Sequence, residues 1–302
     1  EDSRIDEWRD LFNLLPEAMK KTIIPLFYRF SEFKPSVVHS WQDGMNIDAA
    51  IAALMAGVPR IILFARSMRT DEKSILHMRR KRYLRSAYLD LINSQRVLLA
   101  HNSQAGASSY AEWLEMPVEK FEIINNGVDF DSMELGEDGS VESELTQKGI
   151  SEDCRIVGGV FRIVEEKQPR LWVDVASEIV DRYDDVHFVI VGGGQMLDVI
   201  RDEVDALGKS ERIHLIGQRS DVSSWLKRMD LFLLTSRVEG LPNVLIEAQG
   251  FGVPVISTQA GGSGETFVDN ETGHLAKRGT KEELVGLLSS SLEDEKWLED
   301  AT

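Results

Sequence analysis

The sequence contains one cysteine, Cys154, and eight prolines in 302 residues. A single thiol excludes an internal disulfide framework and fits a reducing compartment. No apolar run approaches the ~18–20 residues needed to span a bilayer; stretches such as "IIPLF" and "AAIAALMAGV" are too short. Positive charge is also scarce: 34 Lys and Arg stand against 51 Asp and Glu, for a net charge of −17. That balance opposes bulk attraction to nucleic acid, and no nucleic-acid partner is expected. No His, Cys and Asp residues have metal-ligand spacing, so neither a metal nor a cofactor is expected. The chain begins at Glu1 rather than Met, and no signal peptide is visible in it. A cytoplasmic location is expected, with peripheral attachment at the inner face of the cytoplasmic membrane as the alternative.

What is present describes an ordinary globular protein. Hydrophobic residues make up 42% and charged residues 28% of the chain, and its length suits two domains. Short β-branched runs alternate with helical patterns. "SVVHS", "RIILFA", "RVLLAHN" and "FEIIN" read as strands in the first part; "RIVGGVF", "VHFVIVGGG", "IHLIG", "LFLLTS" and "VPVIST" follow. Helical spacing covers 47–56, 71–91, 168–183, 196–207 and 222–227. Strands that are apolar throughout and alternate with helices predict an α/β fold, its parallel sheets covered on both faces. The acidic, Gly- and Ser-containing stretch 132–152 reads as a linker with one short helix. We therefore expect two Rossmann-like domains, 1–131 and 153–285, and a terminal helix at 286–302. The opening residues read as helices rather than a strand with a glycine-rich turn, so the first domain is expected to be incomplete.

Ligands of open α/β sheets bind at the carboxyl ends of the strands, where helix N-termini favour phosphate. Four such ends in the second domain carry distinctive residues. Arg162 and Lys167 follow "RIVGGVF"; a guanidinium fork and an ammonium together suit a diphosphate. A glycine turn centred on Gly193 follows "VHFVIV". "SRVEGLPNVLIEAQGFGVPVI" follows "LFLLTS". Pro242 suits a helix start there, with a helix expected over 242–249. Glu239 then lies before that helix and Glu247 inside it, at two heights along a ligand. "QAGGSGE" follows "VPVIST", with Gly261 and Gly262 as a permissive turn and Glu265 beginning the next helix. Each feature alone also reads as plain structure: solvated cations, a packing turn, helix-front acids. The combination on successive strand ends is what points to a site.

With these residues in view, the chain resembles the retaining glycosyltransferases of family 4. The stretches that carry the resemblance are "FRIVEEK", "VIVGGG", "HLIGQRSDV", "EGLPNVLIEA" and "AGGSGE", with "VVHSW", "AGVPRII", "HNSQAGASSYAEWL" and "IINNGVD" in the first half. The resemblance implies a GT-B architecture of two facing Rossmann-like domains. It implies transfer of a sugar from a UDP- or GDP-sugar to a saccharide or lipid-linked acceptor, in cell-envelope polysaccharide or lipopolysaccharide synthesis, without metal. Arg162 and Lys167 would hold the diphosphate and Glu247 the ribose. Glu239 would face the sugar, with Gly240, Leu241, Gly261, Gly262 and Gly193 lining the donor pocket. Members usually open with a strand and glycine-rich loop that this chain does not show. A catalytically silent nucleotide-sugar-binding fragment and another GT-B enzyme, such as a nucleotide-sugar epimerase, are the alternatives. On the acceptor side the candidates are His39, Arg66 and His101, each at a strand end.

One region runs against the acidic background. Residues 66–85 hold Arg66, Arg69, Lys73, Arg79, Arg80, Lys81, Arg82 and Arg85, opposed by Asp71 and Glu72, with Tyr83 and Tyr88 alongside. A solvated charged helix has this composition; so does a helix resting on anionic lipid, where each basic residue contributes about 1 kcal/mol, and so does one that steers a phosphorylated or lipid-diphosphate acceptor. Charge reversal at Arg79, Arg80, Lys81 and Arg82 is expected to abolish sedimentation with anionic liposomes. Unchanged binding would exclude the membrane contact.

Overall fold

The computed structural model describes residues 8, 10, 12–69, 75–131, 133 and 139–301, with the backbone alone over 75–82. The chain divides between Asn125 and Asn126 into two compact units. Both are α/β with all-parallel sheets, as the strand runs predict.

From Glu17 onward the first unit runs α1 (Glu17–Phe33), β1 (Val37–Trp41), α2 (Asp43–Met55), β2 (Arg60–Ala65), α3 (Ile75–Leu91), β3 (Val97–His101), α4 (Gln104–Leu114) and β4 (Phe121–Ile123). Its four strands lie in the order β1-β2-β3-β4. Alanines make α2 thin enough to be buried on two sides. Ile47, Ala50 and Ala53 pack toward the sheet, while Ala52 joins Ile23 and Phe27 of α1 in a satellite core. The expectation of two covered faces fails at β1. Val38 and Ser40 are buried, but Val37 and Trp41 on the other face are 46% and 51% exposed. β1 is an edge strand, and the α2 side alone contributes buried residues to it.

The second unit runs α5 (Ser140–Gln147), β5 (Arg155–Val160), α6 (Pro169–Arg182), β6 (Val186–Val191), α7 (Leu197–Ala206), β7 (Ile213–Gly217), α8 (Val222–Lys227), β8 (Leu231–Leu234), α9 (Asn243–Gly250), β9 (Val255–Thr258), β10 (Gly273–Ala276), α10 (Lys281–Glu293) and α11 (Glu295–Asp300). The sheet order is β10-β9-β8-β5-β6-β7. From β5 the chain winds outward through β6 to β7, then returns to β8 on the other side of β5 and winds the opposite way. Right-handed crossovers therefore place helices on both faces. Every residue of β6, β8 and β9 is buried, which is why these strands read as unbroken apolar runs.

Three local features differ from expectation. Residues 132–152, read as a linker with one short helix, hold that helix as α5, but its Val141 and Leu145, with Ile150, are buried in the second core. The acidic composition hides these few apolar anchors. Strand β10 has the sequence "GHLA", too short and mixed to stand out. Glu265 ends a short 3₁₀ turn, Gly261–Glu265, instead of beginning a helix. The Ser263 hydroxyl bonds the carbonyls of Thr258 and Ala260 and tightens that turn. Helix α11 packs within the second unit: Trp297 stacks on His274 at 4.4 Å and donates to the Asn270 carbonyl. Among the described residues no helix is long and apolar enough to cross a membrane.

His187 on β6 and His214 on β7 stack in the second core, with Nδ1 and Nε2 3.2 Å apart. Burial, with the nearby Arg212 cation, lowers His187 to about 4; burial, His187, Lys148 and Arg212 lower His214 to about 4. The unfolded chain keeps the ordinary value of 6.5 and so takes up these protons first. Stability is thus full above that value and falls as pH drops toward about 4. The thermal midpoint is expected to fall steeply across this window, and the double substitution His187→Gln with His214→Gln to flatten the slope. An unaltered slope in differential scanning calorimetry would show that the pair does not titrate on unfolding.

Candidate functional site

The reversal of winding lies between β5 and β8, which pair with each other at Val157 and Gly158. Loops leaving the carboxyl ends of two such strands diverge to opposite faces and leave a crevice between them. The residues expected to form a site come from these two loops and their neighbours.

After β5 the chain makes the short turn Glu165–Lys167 before α6. This turn is fastened to the β8 side. The Thr235 hydroxyl donates to the Lys167 carbonyl at 3.0 Å, and the Arg237 amide donates to the Glu166 carbonyl at 2.8 Å. Trp172, fully buried on α6, donates its indole N–H to the Leu233 carbonyl. These bonds bring Lys167 and Glu239 into a direct ion pair, with the side chains only 19% and 12% exposed. Arg162 is exposed and makes no side-chain hydrogen bond or ion pair among the described residues.

The glycine turn after β6 lies against the β5 loop. The Ile163 amide donates to the Gly193 carbonyl at 2.9 Å, which sets Gly193 beside Arg162 in the backbone ladder. The tight positions are the flanking ones. Gly194 has φ of 157°, and a Cβ there would lie 2.4 Å from the Ile163 carbonyl oxygen; at Gly192 it would lie 2.0 Å from that of Phe161. Gly193 itself is open, its nearest neighbour being the Gln218 side chain at 3.7 Å. The sequence singles out the middle glycine, whereas close backbone approach constrains its neighbours.

After β8, residues 235–242 lead into α9. Gly240, Leu241 and Pro242 are buried. Pro242 is the N-cap, one position earlier than expected, and no side chain caps the helix, so first-turn amides remain available to a ligand. Glu247 is half-buried inside α9; burial raises its pKa above the usual carboxylate range, and no side-chain partner offsets it among the described residues. The β9 end closes this side: Thr258 donates to the Ser236 carbonyl at 2.5 Å, and Gly261, at φ 61°, begins the 3₁₀ turn with buried Gly262. Among the described residues no group of three or more His, Cys, Asp or Glu is placed to hold a metal ion.

In the first unit the acceptor-side candidates differ. His101 is fully buried beneath the start of α4. Its Nδ1 accepts from the Ser103 amide, its Nε2 lies 3.2 Å from the Ser67 carbonyl, and its ring fills the space a Cβ on Gly106 would need. His101 is therefore enclosed by its own unit. His39 is exposed, accepts from the Trp41 indole at 2.9 Å, and is pulled below the ordinary histidine range by partial burial. Arg66 is exposed with its guanidinium 5.1 Å from the Trp41 ring centre. Trp41 joins these two and was not singled out from sequence, where a lone Trp after a strand carries no signal. Not all of the basic stretch faces solvent. Arg69 pairs with Asp43 and stacks 3.9 Å from the Trp113 ring centre; Arg85 bonds the Trp113 carbonyl and Glu115. Tyr88 is buried, donating to Asp43. Residues 70–74 and the side chains of 75–82 lie outside the described residues.

Residues 140–302 match the family described as glycosyl transferases group 1. The chain belongs to this family. It is 38% identical over 275 residues to the Vi polysaccharide biosynthesis protein VipC/TviE of Salmonella typhi, covering 89% of this chain and 46% of that protein. It is 26% identical over 258 residues to the UDP-Gal:alpha-D-GlcNAc-diphosphoundecaprenol alpha-1,3-galactosyltransferase of Escherichia coli, covering 83% and 64%. The chain thus spans about half to two thirds of the length of these curated relatives. The crystal structure of Anabaena Alr3699/HepE in complex with UDP superposes with a TM-score of 0.78 at 20% identity, over 92% of this chain and 75% of that one. Sucrose-phosphate synthase from Thermosynechococcus elongatus superposes at 0.74 with 16% identity, over 97% and 72%. At these identities the likeness establishes the fold: the GT-B kind of group 1 glycosyl transferases.

The close approach at Gly194 yields a direct test. Gly194→Ala adds a methyl against a main-chain carbonyl in a conformation L residues avoid, at a cost of roughly 2–3 kcal/mol. The substitution is expected to lower the urea midpoint of the second unit, whereas Gly193→Ala leaves it within error. Equal effects would mean that the turn relaxes.

Proposed function

We propose that the chain is the donor-binding and part of the acceptor-binding region of a retaining, metal-independent hexosyltransferase that uses a UDP- or GDP-sugar in cell-envelope polysaccharide synthesis. The observation that carries this reading is the direct Lys167–Glu239 ion pair across the strand-order reversal, with Arg162 on the loop after β5 and the uncapped front of α9, which bears Glu247, after β8. Family membership and relatives described by polysaccharide biosynthesis and by galactosyl transfer from UDP-Gal support it. So does the fold shared with a UDP-bound protein.

In this reading Arg162, Lys167 and the α9 amides meet the diphosphate, Glu247 binds the ribose hydroxyls, and Glu239 faces the donor sugar. Gly193, Gly240, Leu241, Gly261 and Gly262 line the donor by backbone. As the anomeric C–O bond lengthens, the sugar gains oxocarbenium character and negative charge grows on the leaving diphosphate. Cationic groups and helix amides fixed beforehand stabilise that charge without reorganising. Lys167 is paired with Glu239, so an arriving diphosphate competes with one carboxylate and leaves Glu239 free to bind a hydroxyl. Glu247, half-buried without a counter-ion among the described residues, gains hydroxyl donors when ribose arrives. His39, Trp41 and Arg66 are the acceptor side in this reading, and His101 supports the fold beneath it. The basic segment 66–85 meets the anionic cytoplasmic face of the membrane in this reading, with Arg69 and Arg85 held by their own unit instead.

A panel of UDP-, GDP- and ADP-sugars tests the proposal by release of nucleotide diphosphate. One base is expected to be preferred, with Glu239→Ala and Glu247→Ala each reducing turnover at least a hundredfold. Binding without turnover would identify a silent donor-binding fragment, and absence of both would refute the roles given to the two glutamates.

A further inference from the structure

The second unit begins with a segment whose contacts converge on the helix that carries Glu247. Asn126, its first residue, donates both amide hydrogens into the loop before α9: to the Leu241 carbonyl at 3.1 Å and to Asn243 Oδ1 at 2.5 Å. Four residues on, the Phe130 ring lies against the other end of the helix. It occupies the place a Cβ on Gly250 would take, 2.0 Å from its ring edge, and meets Phe251 edge-on at 6.0 Å. Helix α9 rises about 10 Å between Asn243 and Gly250 at about 1.5 Å per residue. Four extended residues reach up to about 14 Å. The segment 126–130 is therefore long enough to run the length of α9, gripping its front by hydrogen bonds and its end by an aromatic ring. The preceding residue is anchored elsewhere: Asn125 donates to the Asn102 carbonyl of the first unit.

We infer that residues 126–130 are a strap that positions the donor loop and α9, and that Asn126 is a positioning residue for Glu239. The inference rests on the donor-site reading above. The chemistry is specific to an amide. Both acceptors are oxygens, so the residue facing them must offer two N–H groups, which Asn does and Asp does not. No side chain caps the front of α9, and the Asn126 amide, bonded to the Leu241 carbonyl and to Asn243, supplies a hold there instead. Gly250 completes the strap, because any side chain there would displace Phe130.

The test uses the whole chain and two readouts. Hydrogen exchange of the 239–247 amides is expected to quicken about tenfold in Asn126→Asp, with the β6 and β7 amides unchanged. Titration with UDP, or with GDP if that is the diphosphate bound, is expected to weaken about tenfold in Asn126→Asp. The losses in Asn126→Ala and Asn243→Ala should be strongly non-additive in the double variant. Lys167→Ala is the control for the site itself. If Lys167→Ala loses diphosphate binding while Asn126→Asp keeps wild-type affinity and exchange, the strap is refuted and the donor site stands. If the wild type binds neither diphosphate, the donor reading falls, and quickened or unchanged exchange at 239–247 alone decides for or against the strap. Should Asn126→Asp not fold, the neutral Asn126→Ser is carried through the same measurements.

Discussion

The reversal of strand order between β5 and β8 is the constraint on which the second unit depends. Parallel strands send their following helices to one face as long as the sheet grows in one direction. When the chain returns to the far side of β5, the next helices go to the other face, and the two loops at the reversal separate. The gap between them cannot be filled by either helix layer. It is lined by main chain, and that main chain must come close without side chains intruding. Thr235 and Arg237 fasten the β5 and β8 loops to each other, and on the far side of the β5 loop Gly192 and Gly194, after β6, lie against the carbonyls of Phe161 and Ile163.

Charge in this gap is arranged unevenly. Lys167 and Glu239 neutralise one another in a partly buried pair, which limits the cost of desolvating either. Among the described residues Arg162 is exposed and unpaired, and Glu247 is buried enough to be raised without a compensating cation. A ligand that brings both negative oxygens and hydroxyl donors matches this distribution better than an anion or a neutral sugar alone. A nucleoside diphosphate sugar has both, which is the physical content of the proposed function.

Much of this was legible beforehand, and the reason differs from residue to residue. Strands β6, β8 and β9 are buried on both faces, so their sequences are uninterrupted apolar runs that need no context to recognise. Pro242 and the glutamates on either side of it mark a loop-to-helix junction by backbone chemistry alone. β10 was not legible, because a strand of four residues containing Gly and His satisfies no periodicity. α5 was missed as part of the core because its two buried side chains sit among acids. His39 and His101 both read as strand-end histidines, yet His39 lies exposed in the middle of β1, while His101 ends β3 and is enclosed by a helix start whose Gly106 packs on its ring. Nothing in the local sequence distinguishes them.

The sequence by itself determined the α/β class, the parallel sheets, the strand-end loops and the residue types that meet there, because each follows from period, propensity and turn chemistry acting over a few neighbours. Tertiary structure decided which of those residues meet. Lys167 finds Glu239, Asn126 finds the loop before α9, and Arg69 and Arg85 turn inward from a stretch that reads as uniformly basic. Such pairings join segments that lie far apart along the chain. Close approach of main chain, burial and the direction of a strand crossover select them, and none of these is a property of the residues taken in order.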